Sequence, residues 1–340
     1  MSTVLSDLVN HQVRLAARPT GLPTPEVWEH TTEPVAEPAD GQIVICVTHL
    51  SLDPAMRGWM NAGRSYIPPV EIGAVMRALA AGEVVASANP GFAVGDHVTG
   101  VFGVQEYLTT DGKGVQKVDP GAVPIETYLA LLGMTGMTAY FGLFDVGALS
   151  DGETVVVSGA AGAVGSVVGQ LARIKGCRVV GIAGGPEKCA WIVDELGFDA
   201  AIDYRSEDVG TALRAAVPDG IDVYFDNVGG EILDAALARL RHGARVVICG
   251  AISGYNATEP VPGPKNYLSL LVNSARMEGF VVSTYASRWA EAGAEMAGWL
   301  REGKLHSRED VVQGSVADFP DTLLKLFRGE NTGKLVLALS

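Results

Sequence analysis

The sequence predicts an α/β protein with a β-rich domain and a domain built on a doubly wound parallel sheet. Two patterns and the length carry that expectation. Residues 1 to about 125 hold short β-branched runs divided by Gly, Pro and Asp turns, the spacing of a compact barrel or sandwich. From about Ile125, strand-like and helical runs alternate, which implies βαβ units and a sheet covered on both faces. At roughly 150 residues per domain, 340 residues suggest two.

In chain order, residues 12–17 form a short strand stopped by Pro19 and Gly21. The Pro-rich stretch 20–38 is too broken for a helix and reads as an extended surface arm. Residues 42–49 (QIVICVTH) and 84–87 are strands. The second leads into turns at Asn89-Pro90-Gly91, Gly95-Asp96 and His97-Val98. Residues 104–109 and 115–118 complete this set. Residues 127–146 read as one or two helices interrupted by Gly133 and Gly136. Strands follow at 154–158, 178–182, 200–202, 222–225, 245–249 and 278–282. Helices at 164–175, 187–196, 207–216 and 232–240 lie between most of them. A last helix at about 288–302 precedes a tail. Its end, KLVLAL, is a short strand able to return to the first domain.

Composition narrows the partners. Apolar residues make up 48% and charged residues 19%, enough for full-sized cores and too much for wholesale disorder. A net charge of −14 repels phosphate backbones and anionic lipid, so neither nucleic acid nor a membrane surface is an expected partner. Cys46, Cys177, Cys189 and Cys249 lie far apart with no CxxC pair, which fits a reducing cytoplasm. The first residues lack the apolar core of a signal peptide, and no run reaches the roughly 18 apolar residues of a membrane span.

The sharpest motif is VVVSGAAGAVG, residues 155–165, followed by a helical pattern. Within it, Ala160-x-Gly162-x-x-Gly165 is the Rossmann fingerprint with alanine at the first position. Gly162, Ala163, Val164 and Gly165 then hold a pyrophosphate: the glycines admit close backbone approach, and the helix start offers N–H groups and partial positive charge. An NAD-selective site places an acid at the tip of the next strand. Here that tip is Ala183-Gly184-Gly185. Lys188 follows one turn into the next helix, placed to pair with a 2′-phosphate. The residues therefore predict NADPH/NADP+.

These residues resemble the zinc-free medium-chain dehydrogenase/reductases, and more narrowly the group of prostaglandin reductases, leukotriene 12-hydroxydehydrogenases, alkenal double-bond reductases and curcumin reductases. The carrying motifs are GMTGMTAYFGLFDVGALSDGETVVVSGAAGAVGSVVGQLARIKGCRVVGIAG, Leu52-Asp53-Pro54-x-Met56-Arg57-Gly58, Phe225-Asp226-Asn227-Val228-Gly229-Gly230, Cys249-Gly250-Ala251-Ile252-Ser253-x-Tyr255-Asn256 and Asn331-x-Gly333-Lys334. The resemblance implies a GroES-like domain over 1–127 completed by 310–340, with a Rossmann domain over 128–309. It implies NADPH-dependent reduction of the carbon–carbon double bond of α,β-unsaturated ketones or aldehydes, and a homodimer joined sheet edge to sheet edge. Its cofactor contacts fall on Gly162 to Gly165, Lys188, Tyr204, Asn227, Cys249, Gly250, Ala251, Ile252, Ser253, Tyr255, Phe280, Val281, Val282 and Asn331. One departure stands out: many members carry tyrosine where this chain has Ala55, with Trp59 shortly after.

Cys46-Val47-Thr48-His49 has metal-ligand spacing, but a catalytic zinc needs three protein ligands, and the stretch Gly73-Ala74-Val75-Met76 offers no second one; no metal is expected. The protein then has to stabilise an enolate oxygen by hydrogen bonding. Tyr255 is the candidate donor, with the cofactor's ribose hydroxyl as a second. Trp59, Tyr66 and Met134, with Ala55, are candidate pocket residues for an apolar enone. Arg57 reads as an ion-pair partner of Asp53 or another acid. Tyr285 and Trp289 face a pocket or a partner subunit. His11, His30, His97, His242 and His306 show no acid–base partner. A quinone oxidoreductase and a non-catalytic NADPH-binding protein are the alternatives.

Overall fold

The strand β1 (Val9–Leu15) pairs antiparallel with β2 (Trp28–Pro34) in a computed structural model that describes residues 5–340. The expectation of no signal peptide falls partly on residues 1–4, which lie outside the described residues. The stretch expected as a surface arm holds β2, entered through a short 3₁₀ turn at Pro25–Val27. Val27 and Trp28 are the reason. Both are buried, and the Trp28 ring meets Phe319 edge-on at 5.5 Å.

β3 (Ile43–Ser51) is the spine of this part. α1 (Ala55–Trp59) follows it, then β4 (Leu79–Ser87), β5 (His97–Val101), β6 (Tyr107–Thr110) and β7 (Gln116–Lys117). β3 pairs with β4 and β6; β5 joins β4 to β7. His97-Val98, expected in a turn, opens a strand because Val98 is fully buried opposite Gly82. β3 slips register against β4 at Val44/Ile45 and Val47/His49. Gly82 makes this possible, since a Cβ there would lie 2.3 Å from the Cys46 carbonyl oxygen. Buried amides tie β1 to the segment before β6: Asn10 and Gln12 both donate to Gln105 Oε1, at 3.1 and 3.2 Å. His11 has an acid partner after all, with Nδ1 2.6 Å from Glu106.

The second part of the chain opens with α2 (Met134–Phe141), which runs into a π-helical turn at Gly142–Val146. Gly136 does not interrupt it. A Cβ there would lie 1.7 Å from the Leu131 carbonyl oxygen, so the glycine lets the first turn close onto that carbonyl. Then come β8 (Thr154–Ser158), α3 (Gly165–Ile174), β9 (Arg178–Ala183), α4 (Pro186–Asp194), β10 (Ala200–Asp203), α5 (Val209–Ala216), β11 (Ile221–Asp226), α6 (Gly230–Leu237), β12 (Leu240–Ile248), α7 (Ser269–Val272), β13 (Arg276–Gly279) and α8 (Trp289–Arg301). The six strands are all parallel, in the order β10-β9-β8-β11-β12-β13. Chain order reverses between β8 and β11, the Rossmann arrangement with its crevice at the reversal. The central strands bury both faces, as an apolar run such as Val155-Val156-Val157 requires. α3 packs close because Gly169 leaves room for the Phe198 ring, whose Cζ would lie 1.8 Å from an added Cβ.

The tail is more than one strand. β14 (Glu309–Gly314), α9 (Phe319–Arg328) and β15 (Lys334–Leu339) follow α8. α9 goes beyond the sequence expectation, although Ser315 and Asp318 form a capping box before it and Gly329 closes it at φ 62°. β15 pairs antiparallel with β3 and parallel with β14 in a seven-stranded sheet. The chain thus divides into two compact units: the segment through Leu129 with Glu309–Ser340, and Ala130–Arg308.

A buried ion pair locks the returning strand. Lys334 is 1% exposed; its Nζ donates to the Leu52 carbonyl at 2.7 Å and to Asp53 at 2.6 Å, and Ser51 Oγ donates to the same carboxylate at 2.5 Å. Asp53 is therefore paired with Lys334. Arg57, expected to pair with Asp53 or another acid, is buried and donates to the carbonyls of Pro19 and Gly21 and to Asn61 Oδ1. Removing one member of a buried pair strands the other charge. Lys334→Met is expected to lower the unfolding free energy by about 3 kcal/mol in a denaturant titration, and adding Asp53→Asn to restore part of it. A single variant as stable as the parent would show that the pair contributes nothing.

Candidate active site

Every predicted cofactor residue in Ala130–Arg308 follows the carboxyl end of a parallel strand. Gly162 to Gly165 follow β8, Lys188 follows β9, Tyr204 follows β10 and Asn227 follows β11; Cys249 to Tyr255 follow β12, and Phe280 to Val282 follow β13. Ligands of open α/β sheets bind at these ends, beside the order reversal.

The turn after β8 is shaped for an anion. Gly159 sits at φ 60°. A Cβ on Gly165 would lie 2.3 Å from the Gly159 carbonyl oxygen, so only glycine lets α3 start this close to the strand. α3 begins at Gly165, directly after this turn, and a helix start offers backbone N–H groups and partial positive charge to a pyrophosphate.

A buried carboxylate fixes the crevice floor. Asp226 is 1% exposed at the end of β11. Its Oδ1 accepts from Ser158 Oγ at 2.8 Å, Tyr224 Oη at 3.0 Å, and the amides of Val228 and Gly229 at 3.1 and 3.0 Å. Burial and this carboxylate hold the Tyr224 phenol far above its ordinary range. The Ser158 hydroxyl accepts in turn from the Asn227 amide at 2.9 Å, and Asn227 Nδ2 donates to the Ser158 carbonyl at 2.7 Å. The Asn227 side chain therefore bridges β11 to β8. The Asp226 carbonyl takes the amides of Cys249 and Gly250, at 2.9 and 3.1 Å, which seats the loop after β12. The cysteine of that loop is no nucleophile at neutral pH: burial, and then the Asp226 charge, push the Cys249 thiol up to about 12.

Tyr255 folds back over its own loop. Its hydroxyl accepts the Ala251 amide at 3.2 Å and would lie 3.0 Å from a Cβ on Gly250. Ser253 anchors the same loop, its amide and hydroxyl both donating to the Val228 carbonyl at 3.1 and 2.6 Å. Ile252 N–H reaches the Asn227 carbonyl at 3.3 Å. The bond from Ala251 uses a lone pair of the phenol oxygen and not its O–H.

The β9 tip holds no acid. A Cβ on Gly184 would lie 2.7 Å from Tyr204 Oη, and Gly185 sits at φ 99°. Asp203 at the end of β10 is occupied: it accepts the Gly185 amide at 2.7 Å, the Arg205 amide at 3.0 Å and Ser206 Oγ at 2.8 Å. The Gly185 and Arg205 amides hold this carboxyl below its ordinary range. Lys188 stands in the first turn of α4.

Aromatic rings gather elsewhere in the same unit. Phe280 would meet a Cβ on Gly142 at 2.7 Å; Tyr285 stacks on Phe141 at 4.7 Å and 11°. Trp289 packs against the core of this unit, and its Nε1 has no partner among the described residues. Met134 begins α2 and accepts Thr138 Oγ1 at its carbonyl.

The remaining candidates belong to the other unit. Ala55 and Trp59 lie one turn apart on α1. Trp59 Nε1 donates to Tyr66 Oη at 3.0 Å, and the Arg77 guanidinium lies 5.6 Å from the Trp59 ring centre. Asn331 Nδ2 donates to the Gly333 carbonyl, one residue before the buried Lys334. Cys46 faces Tyr107, and burial raises its thiol. His49 neighbours Thr48 at 2.9 Å and Glu126 at 3.5 Å; burial lowers its pKa. The sequence reading gives Ser158, Asp226 and Lys334 no role, although all three stand in its motifs and an acid closing the apolar strand before Gly229-Gly230 is a visible signal.

The chain matches two family models, an N-terminal domain of oxidoreductase over residues 11–118 and a zinc-binding dehydrogenase over 163–298. It is 42% identical to the NADPH-dependent curcumin reductase of Escherichia coli over 97% of each chain, and 38% identical to the 2-alkenal reductase (NADP(+)-dependent) of Nicotiana tabacum over 98% of each. The crystal structure of CurA in complex with NADPH from Vibrio vulnificus superposes with a TM-score of 0.91 at 41% identity, covering 97% of this chain and 99% of that one. The chain belongs to the medium-chain dehydrogenase/reductase superfamily, in the group of the prostaglandin, 2-alkenal and curcumin reductases.

Proposed function

We propose that this protein reduces the carbon–carbon double bond of α,β-unsaturated ketones or aldehydes with NADPH. The carrying observation is the close-packed Gly159–Gly165 turn at the order reversal, beside a strand tip that has no acid. Relatives that act on curcumin and 2-alkenals at about 40% identity support the same reading.

The chain's own residues divide the work. The Gly162 to Gly165 turn holds the pyrophosphate, and Lys188 and Tyr204 take the adenosine end. Asn227 and the loop Cys249 to Ser253, with Phe280, Val281, Val282 and Asn331, form the rest of the cofactor site. When bound, NADPH supplies a hydride for the substrate's β-carbon. Negative charge then grows on the substrate carbonyl oxygen. The Tyr255 O–H donates a hydrogen bond to that oxygen, and Tyr255 or water delivers the proton to the α-carbon. Ala55, Trp59, Tyr66 and Met134 are the enone-pocket residues, and the small Ala55 side chain leaves volume for the substrate.

A second copy of the chain covers the sheet edge. Among the described residues β13 pairs with β12 alone, and its four residues are all exposed. Beside it Leu271 and Val272 are each 78% exposed, with Tyr267, Leu268 and Met277 also bare. An open strand edge rimmed by apolar side chains fits a two-fold dimer. The four free thiols fit a cytoplasmic location, and among the described residues no helix is long and apolar enough to cross a membrane.

NADPH oxidation is expected with a short alkenal, a cyclic enone and an aryl enone, giving the saturated carbonyl product, and not with a saturated ketone. Activity confined to a quinone would replace the reading with quinone reduction, and binding without any turnover would make the protein a non-catalytic NADPH binder. Tyr255→Phe should lower kcat at saturating enone by on the order of a hundredfold; unchanged turnover would remove the tyrosine from the chemistry. In sedimentation, the parent should run as a dimer and Leu271→Asp with Val272→Asp as a monomer.

A further inference from the structure

A side chain outside the predicted cofactor set occupies the corner that decides between NAD and NADP. In a Rossmann unit that corner is the tip of the second strand, about 20 residues past the glycine turn, where an acid takes the ribose hydroxyls of NAD. Here the position is Gly184-Gly185. An acid at 184 has no room, because its Cβ would lie within 2.8 Å of the Tyr204 ring and hydroxyl. An acid at 185 would have to adopt φ 99°, which L side chains rarely do. The nearest atom to that missing Cβ is Arg205 Nη1, at 3.9 Å. A guanidinium therefore lies over the glycine from which a carboxylate would otherwise project.

The surrounding bonds fix the backbone that carries it. Asp203 accepts the amides of both Gly185 and Arg205, which ties the strand tip to the loop after β10. Two further acids stand in this loop: Glu207 accepts the Asp203 amide at 2.8 Å, and Asp208 accepts the Thr211 amide at 2.8 Å as the cap of α5. The Arg205 charge also acts on the Asp203 carboxyl. The α4 N-terminus, beginning with Pro186 just past Gly185, adds partial positive charge on the same side as Lys188.

We propose that Arg205 is a direct ligand of the cofactor's 2′-phosphate, acting with Lys188. Arginine suits the task, since its planar fork offers paired N–H donors to phosphate oxygens. The inference rests on NADPH being the cofactor, and the test separates the two claims.

The experiment is a fluorescence titration of the full-length protein with NADPH and with NADH, and displacement by 2′,5′-ADP. The parent should bind NADPH at least about tenfold tighter than NADH, the size of one charge-assisted phosphate contact. Arg205→Ala should weaken NADPH and 2′,5′-ADP by about tenfold and leave NADH within about twofold. Arg205→Lys should recover part of the loss. Arg205 is exposed, so the variants should melt with the parent. Unchanged NADPH affinity in Arg205→Ala would overturn the proposal. An equal loss for NADH and NADPH would also overturn it, by assigning Arg205 to loop structure. A parent that binds both cofactors equally would overturn the NADPH reading and this proposal together.

Discussion

The buried Asp226 carboxylate is the constraint on which the crevice depends. One oxygen gathers a hydroxyl from β8, a phenol from its own strand and the amides of Val228 and Gly229. Without it, the Ser158 hydroxyl, the Tyr224 phenol and two backbone N–H groups would lose this acceptor in an apolar sheet. The same residue's carbonyl seats the loop that carries Tyr255. A polar group inside the sheet thus sets the spacing of three strand ends whose loops are proposed to hold the cofactor. Low dielectric strengthens such a network when every member is paired.

The other unit solves a comparable problem with an ion pair. Lys334 satisfies the end of β3 and the Asp53 carboxylate just before α1, the helix that carries Ala55 and Trp59. Asn331 stands three residues before Lys334, held by the Gly333 carbonyl. Candidate substrate and cofactor residues of this unit are thereby anchored to one buried ammonium.

The parallel sheet was legible because its strands are apolar on both faces and its helices keep a 3.6-residue period. The glycine turn and the acid-free β9 tip were legible for the same local reason: each is a contiguous stretch. The elements that escape a sequence reading depend on distant partners. β2 lies in a Pro-rich stretch, and only burial of Trp28 against Phe319, at the far end of the chain, makes it a strand. Gly136 has the look of a helix breaker and is a packing contact. α9 is different, since its capping box and its closing Gly329 are local signals in plain sight. In the site, Asp226 and Asp203 act through residues that meet only across strand ends, which no spacing rule exposes.

The division of one unit between the two ends of the chain bears on how the protein is made. Lys334 bonds to a carbonyl 282 residues earlier. At a synthesis rate of about 5–20 residues per second, β3 waits roughly 15 to 60 s for its partner. During that wait β3 lacks β15, and its edge is open to other chains. The parallel sheet between them is synthesised whole and is free to fold first. Closing this unit is then a late step across a very long loop, and the Asp53 carboxylate meets its counter-ion only after the whole intervening sheet has been translated.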